Sequence, residues 1–156
     1  MSFKASVCVA AFLCAWSGPV LAGETAMVVA PGDVKWGPAP AALPPGAQAA
    51  VMAGNPAGAG FTSIRAYLPA GYTVKPHFHP TDEHVTVLSG TMAFGMGDAI
   101  DAAGEKEVGV GGYFSAQANM HHYAIAKTPA MIQIDFMGPF GITYVNPADD
   151  PRNAKK

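Results

Sequence analysis

The chain has 156 residues, of which 50% are hydrophobic and 13% are charged, and its formal net charge is −2. This length is typical of one domain, and the hydrophobic fraction is large enough to form a core. Basic and acidic residues are scattered, so the charge pattern indicates neither nucleic acid nor an anionic membrane surface as a partner. The 18 glycines and 14 prolines favour short elements joined by many turns.

Residues 1–22 have the pattern of a cleavable export signal. Lys4 precedes an apolar run at 5–16, ASVCVAAFLCAW, which ends at the Ser-Gly-Pro of 17–19. We predict cleavage after Ala22 and a periplasmic or secreted protein that is not attached to the membrane. A retained anchor is the alternative, and it would need ~20 apolar residues. Because Cys8 and Cys14 both lie in this leader, the mature chain has no disulfide and no thiolate ligand.

Residues 23–47 are rich in proline, glycine and alanine. Five prolines in this stretch cannot occupy helix interiors, so we predict an extended N-terminal arm. Trp36 is expected to pack the arm against the domain, and a disordered linker is the alternative.

Residues 48–148 show the pattern of a domain of short strands, and a polar tail follows at 149–156. The predicted strands are 61–68, 83–88, 91–96, 113–116, 122–126, 131–137 and 141–145, with a polar excursion at 97–109. Strands that recur about every 8–12 residues between glycines and prolines predict an all-β sandwich or barrel. The Ser89-Gly90 turn predicts a hairpin between the second and third of these strands.

Alternation assigns the faces of several strands. Val85 and Val87 share the face of Glu83, and Met92, Phe94 and Met96 form a second apolar stripe. In 131–137 either the isoleucine and phenylalanine set or the polar set faces inward. We favour the apolar set, which consists of Ile132, Ile134 and Phe136, over Gln133 and Asp135.

Residues 77–84, HFHPTDEH, gather three histidines and two carboxylates in a chain with few charges. His77 and His79 are two apart, so they project to one face of a strand. A turn at 80–82 then leads into a strand that Glu83 opens, which we expect to run antiparallel to the first and to place Glu83 opposite the histidines. Nitrogen and oxygen ligands without a thiolate suit a first-row transition ion.

A fourth ligand would come from the other two histidines, His121 and His122. Neighbouring strand residues face opposite ways, so only one of the two can point into the site. Strand parity alone leaves the choice between them open.

The spacing Gly71-x5-His77-x-His79-x3-Glu83-x6-Gly90 resembles the first signature of the cupin superfamily at all of its fixed positions. A second, degenerate signature keeps Gly111 and aligns His122 with the ligand histidine. It has Gln117, Asn119 and Ala126 where the family has proline, glycine and asparagine. Asn119 is tolerable because asparagine visits left-handed backbone conformations. The likeness covers roughly residues 61–137. More specifically, the chain resembles small exported single-domain (type 2) cupins of unassigned activity.

This resemblance implies a small conical jelly-roll β-barrel with one divalent transition metal inside its mouth. The implied ligands are His77, His79, Glu83 and His122. The ligand set fits Fe, Mn, Ni, Cu or Zn and leaves up to two positions of an octahedral ion for a small-molecule substrate. The resemblance also implies that the arm could mediate a homodimer.

The remaining polar residues are expected outside the ligand set. His121 is expected on the outer face, His84 in solvent or behind a ligand, and Asp82 as the cap of its turn. Tyr67, Tyr123 and Arg65 are candidates for the mouth. No general acid or base is evident from the pattern, and Tyr67 and Asp135 are the candidates.

Three functions are open to such a chain. The favoured one is an oxygenase-type enzyme acting on a small hydrophobic molecule. Alternatives are a metal-dependent isomerase or lyase and a non-catalytic module that holds a metal or small ligand. A carbohydrate-binding jelly roll ranks last because the mature chain has one tryptophan.

Overall fold

The structure, a computed structural model, describes residues 26–154. It consists of strands in two antiparallel sheets with three short 3-10 helices, which confirms the predicted all-β jelly roll. The leader predicted at 1–22 and the proposed cleavage position lie outside the described residues. Among residues 26–154, no helix has the length and apolarity that a membrane crossing requires.

The strands follow one another with short connections. Their bounds are β1 Gly37–Pro38, β2 Gln48–Ala53, β3 Gly60–Leu68, β4 Thr73–Phe78, β5 Glu83–Ser89, β6 Met92–Met96, β7 Lys106–Val108, β8 Tyr113–Ala116, β9 His122–Ala126, β10 Ala130–Gly138 and β11 Thr143–Tyr144. One sheet has six strands in the order β1-β2-β3-β10-β5-β8. The other has five strands in the order β11-β4-β9-β6-β7. The 3-10 helices are Pro31–Asp33, Pro147–Asp149 and Pro151–Asn153.

Alternating side chains form the core between the sheets. On β5, Val85 and Val87 are buried together with Glu83, as the pattern predicts. On β10 the apolar set faces inward, which confirms that choice; its members are Ile132, Ile134 and Phe136. The prediction for Met96 is wrong: it is 47% exposed, because it ends β6 beyond the part of the stripe that the core covers.

The predicted hairpin at Ser89-Gly90 is also wrong. Strands β5 and β6 lie in different sheets, so the turn carries the chain across the core instead of pairing its flanks. Gly90 has a φ of 76°, and a Cβ there would lie 2.2 Å from the carbonyl oxygen of Pro129. Glycine is therefore required both by the backbone conformation and by the close approach of the neighbouring chain.

The N-terminal segment is built into the domain. Strand β1 pairs with β2 and becomes the edge of the six-stranded sheet. The hydroxyl of Tyr72 donates to the carbonyl of Pro44 at 2.5 Å, and that of Tyr144 donates to the carbonyl of Ala42 at 2.9 Å. These two hydrogen bonds hold residues 42–44 against the barrel.

Candidate metal centre

The two sheets bring four polar side chains together in the interior. His77 lies on β4, His79 follows the end of that strand, and His122 opens β9 in the same sheet. Glu83 opens β5 in the opposite sheet. The expectation that the strand of Glu83 runs beside that of His77 is therefore wrong. The loop at 80–82 crosses between the sheets, so Glu83 meets the histidines across the core.

The four side chains are close and almost fully buried. His77 stands opposite His122 in the β4–β9 register, with ring centroids 4.3 Å apart. One nitrogen from each of His77, His79 and His122 lies within 4.8 Å of the others, so the three histidines are positioned to hold a metal ion. Glu83 places Oε2 3.1 Å from Nε2 of His122 and Oε1 3.6 Å from Nε2 of His79. None of the four residues is more than 7% exposed.

Backbone carbonyls orient the three imidazoles. Each Nδ1–H donates to a carbonyl oxygen: His77 to Lys75 at 2.7 Å, His79 to Gly141 at 2.6 Å and His122 to Met120 at 2.9 Å. Such bonds fix the ring orientation and leave Nε2 to act as the ligand atom. Nε2 of His79 is buried and has no hydrogen-bond partner among the described residues. An unpaired buried polar atom is costly, and a metal ion would satisfy it, so the side chains present fit the implied group.

Burial and the charges of neighbouring groups shift the pKa values of these four residues, which we call the cluster, in different directions. Burial lowers the pKa of His77 to about 3, with smaller contributions from His122 and His79. Burial also lowers the pKa of His79, although Glu83 opposes the shift. For His122, burial is outweighed by the hydrogen bond to Glu83, and its pKa is raised. The pKa of Glu83 is lowered, because the same bond and the neighbouring histidines overcome the effect of burial. The shifts thus favour neutral imidazoles at His77 and His79, and they favour the charged forms of His122 and Glu83.

Two hydrogen bonds tie together the loops that carry the cluster. The backbone N–H of Ala118 donates to Oδ1 of Asp82 at 2.8 Å, and the N–H of Asn119 donates to the carbonyl of His79 at 2.8 Å. Asn119 has a φ of 63°, the left-handed conformation predicted for the position where the second cupin signature has glycine. The loop between His79 and Glu83 is thus connected to the loop that leads into His122.

The other two histidines lie outside the cluster. His121 places Nδ1 2.5 Å from Oδ1 of Asp98 and stacks on the ring of Phe78, away from the interior, as expected for its parity. His84 lies 2.5 Å from the hydroxyl of Tyr113 and is partly exposed.

The candidates for polar groups at the mouth lie elsewhere. Arg65 hydrogen-bonds to Gln133, and Asp135 also contacts Gln133, on the outer side of the six-stranded sheet. Tyr67 is 40% exposed. Tyr123 is buried on the opposite side of β9 from His122 and donates to the carbonyl of Asp101 at 2.8 Å. The prediction that these residues lie at the mouth is therefore wrong. Each is next to an inward-facing residue on its strand, so its own side chain points to the outer face.

A cavity of about 700 Å³ adjoins the cluster and includes all four of its residues in the wall. The lining is mainly aliphatic. Sequence reasoning did not place three contributors at a cavity: Lys35 and Trp36 from the N-terminal segment and Arg152 from the predicted tail. For Trp36 it predicted only packing of the arm against the domain. The isolated tryptophan in a proline-rich stretch indicated packing, whereas no local feature of the sequence indicated that Arg152 lines a cavity.

The chain matches one known sequence family. The sequence family described as the ChrR cupin-like domain matches residues 24–137. None of the curated proteins compared with the sequence matches it.

Among solved structures, the chain is similar to a candidate acetylacetone dioxygenase from Methylibium petroleiphilum PM1. The TM-score is 0.61 at 24% identity, covering 84% of this chain and 89% of that one. It is also similar to the polyketide cyclase RemF from Streptomyces resistomycificus, with TM-score 0.62, 19% identity and 81% and 89% coverage. An RmlC-like cupin from Shewanella frigidimarina NCIMB 400 gives a TM-score of 0.57 at 13% identity, with 74% and 91% coverage. At these identities the likeness establishes the fold alone.

Proposed function

The chain belongs to the ChrR cupin-like domain family, and on this premise we propose that it binds one divalent transition metal through His77, His79, Glu83 and His122 and acts as an oxygenase-type enzyme on a small organic molecule. The observation that carries the proposal is the convergence of three oriented imidazoles and a carboxylate beside a cavity. We also propose that the protein is exported to the periplasm or secreted, as the pattern of residues 1–22 indicates.

The chemistry of the donor set supports a catalytic ion. A metal bound by imidazoles and a carboxylate can polarise a substrate oxygen or, if it is redox-active, activate dioxygen. The chain supplies two neutral nitrogens from His77 and His79, and the Glu83 carboxylate offsets part of the positive charge of the metal. The aliphatic cavity wall surrounds the cluster with apolar groups. Its size lies within the roughly 300–1,000 Å³ typical of small-molecule sites.

Two alternatives remain close to this proposal. The cavity wall offers few polar groups besides the cluster, which favours a non-catalytic module that holds a metal or a small ligand. An isomerase or lyase on the same ligand set is the other alternative, because the fold does not select a reaction. The cavity beside the cluster favours an enzyme or a small-ligand module over a metal store, since a storage or structural centre needs no adjoining space.

Elemental analysis followed by an oxygen electrode tests the proposal. Purified protein should contain about one equivalent of metal, and the iron-loaded form should consume dioxygen with candidate phenols or diketones. Metal without oxygen consumption would favour the non-catalytic module or the isomerase and lyase class. Well-folded protein that stays empty after incubation with Fe, Mn, Ni, Cu and Zn would refute the metal site itself.

A further inference from the structure

We propose that the cavity takes a small amphipathic carboxylate, with its apolar body between the sheets and its carboxylate at a basic rim formed by Lys35 and Arg152. This inference deepens the proposed function, on which it rests, by naming the chemical class of the molecule that occupies the cavity beside the metal centre.

The interior of the cavity suits an apolar body. Its wall includes aliphatic side chains from both sheets: Ile64, Leu68, Val74, Val85, Ile132 and Ile134. Glu83 is the one carboxylate in this lining, and it is already engaged with His122. A polar body would lose its hydrogen bonds to water and find few replacements, whereas an apolar body gains from leaving water.

The rim lies where the edges of the two sheets meet. Lys35 precedes β1, the outer strand of the six-stranded sheet, and Arg152 follows β11, the outer strand of the five-stranded sheet. The hydrogen bond from Tyr144 on β11 to the carbonyl of Ala42 joins these two edges. The two basic side chains thus reach the same cavity from separate ends of the chain.

Neighbouring groups hold Arg152 in place. Its Nε lies 2.8 Å from Oδ1 of Asp150, and its Nη2 lies 2.6 Å from Oδ2 of Asp150 and 3.2 Å from the carbonyl of Ile142. No contact of the described residues uses Nη1, which leaves donors for a ligand oxygen. The carbonyl of Gly141, the residue before Ile142, accepts the hydrogen bond of His79. The guanidinium is therefore attached to the same segment that orients one imidazole of the cluster.

Lys35 supplies the uncompensated charge. Asp150 offsets the charge of Arg152, but no carboxylate among residues 26–154 pairs with Lys35. Among the residues that line the cavity, Lys35 is therefore the basic side chain without a carboxylate partner. A ligand carboxylate would complement it through charge-assisted hydrogen bonds, which are stronger than bonds between neutral groups.

Trp36 provides a direct readout, because it lies next to Lys35 and lines the same cavity. We would titrate the metal-loaded full chain with octanoate, octanol and octylamine and follow tryptophan fluorescence. Trp36→Phe identifies the signal, since the chain's other tryptophan, Trp16, lies in the leader. Octanoate should bind at least about tenfold more tightly than octanol, and the octylammonium ion should bind most weakly.

Charge variants test the rim. Lys35→Gln combined with Arg152→Gln should bring the octanoate and octanol affinities to within about twofold of each other while octanol binding stays the same. Lys106→Gln, which removes a lysine of β7 that does not line the cavity, should keep the preference. The ratio of the two affinities does not respond to a general loss of stability, so it isolates charge recognition.

Three results would overturn the proposal: no saturable binding of octanoate, equal affinities for octanoate and octanol in the wild type, or an octanoate preference that survives the double change but disappears with the metal. The last result would place the carboxylate on the metal. Metal content measured on the same samples separates the two proposals. Full metal loading without octanoate binding would refute this inference but not the proposed metal centre. A preference for octanoate in a protein that takes no metal would refute the metal centre but not the basic rim.

Discussion

The five histidines of the chain occupy two regions with opposite properties. His77, His79 and His122 lie between the sheets, and each donates its Nδ1–H to a backbone carbonyl. His84 and His121 lie outside, and each meets the side chain of a surface residue. His121 and His122 are neighbours in the sequence, yet only one enters the core. Strand parity separates the two regions, and the backbone carbonyls orient the inner imidazoles so that their nitrogens lie close together.

The largest expected effect comes from removing an inner histidine. His79→Ala or His122→Ala should lower metal affinity by at least roughly 100-fold, because changes to residues behind a ligand already cost 10–100-fold. The matched outer changes, His84→Ala and His121→Ala, should leave it within about twofold. Competition with a chelating dye measures all four. Equal losses for inner and outer variants would contradict the division, and circular dichroism checks that each variant is folded.

The change Glu83→Gln tests the charge of the inner site, because it removes the negative charge of the side chain and keeps its shape. The amide is a weaker ligand than the carboxylate, and the positive charge of the ion loses its buried partner. We expect metal affinity to fall by about 10- to 100-fold. Isothermal titration of the wild type and the variant with the same metal measures the change. An unchanged affinity would exclude Glu83 from the site and leave a centre of three histidines.

Proton release on metal binding follows from the raised pKa of His122. Below that pKa, His122 carries a proton on Nε2 that the metal must displace, whereas His77, whose pKa is about 3, carries none at neutral pH. Between the lowered pKa of His79 and the raised pKa of His122, metal binding should therefore release about one proton. It should release fewer as the pH rises, and affinity should increase with pH. Titration calorimetry in buffers of different ionisation enthalpy counts these protons. Release of two or more at neutral pH would contradict the neutral state of His77 and His79.

The smallest expected effect concerns Asp82, which touches no imidazole. Asp82→Ala removes the acceptor for the N–H of Ala118 and loosens the connection between the loops beside His79 and His122. Metal affinity should fall by about fivefold, the equivalent of one ordinary hydrogen bond. Asp98→Ala, which removes the partner of the outer His121, is the matched control and should have no effect. A loss above 100-fold for Asp82→Ala would indicate that the carboxylate is itself a ligand.

The sequence predicted those features that depend on local spacing. Alternation identified the strands and inward faces of β5 and β10, and the cupin resemblance selected His122 over His121. The sheet partners were not predictable in the same way. The Ser89-Gly90 sequence is typical of a hairpin turn, yet the chain crosses between the sheets there, since β5 pairs with β10 and β8 whereas β6 pairs with β9 and β7.

The cavity wall depends on contacts between distant parts of the chain. Lys35, Trp36 and Arg152 come from segments with no regular pattern in the sequence, yet they line one cavity. Contacts between distant parts of the chain, such as the hydrogen bonds of Tyr72 and Tyr144, hold residues 42–44 beside it. Tyr144 is 102 residues away from Ala42 in sequence. Periodicity reports only on neighbours along one strand, so it could not place these residues at one site.

Anomalous diffraction from a crystal of the metal-loaded protein tests the central claim most directly. The account predicts one strong peak between the sheets, about 2.1 Å from Nε2 of His77, His79 and His122 and about 2.1 Å from a carboxylate oxygen of Glu83. A peak beside His84 or His121 with none between the sheets would contradict it. So would an empty cluster in a crystal of protein that had been incubated with each candidate metal.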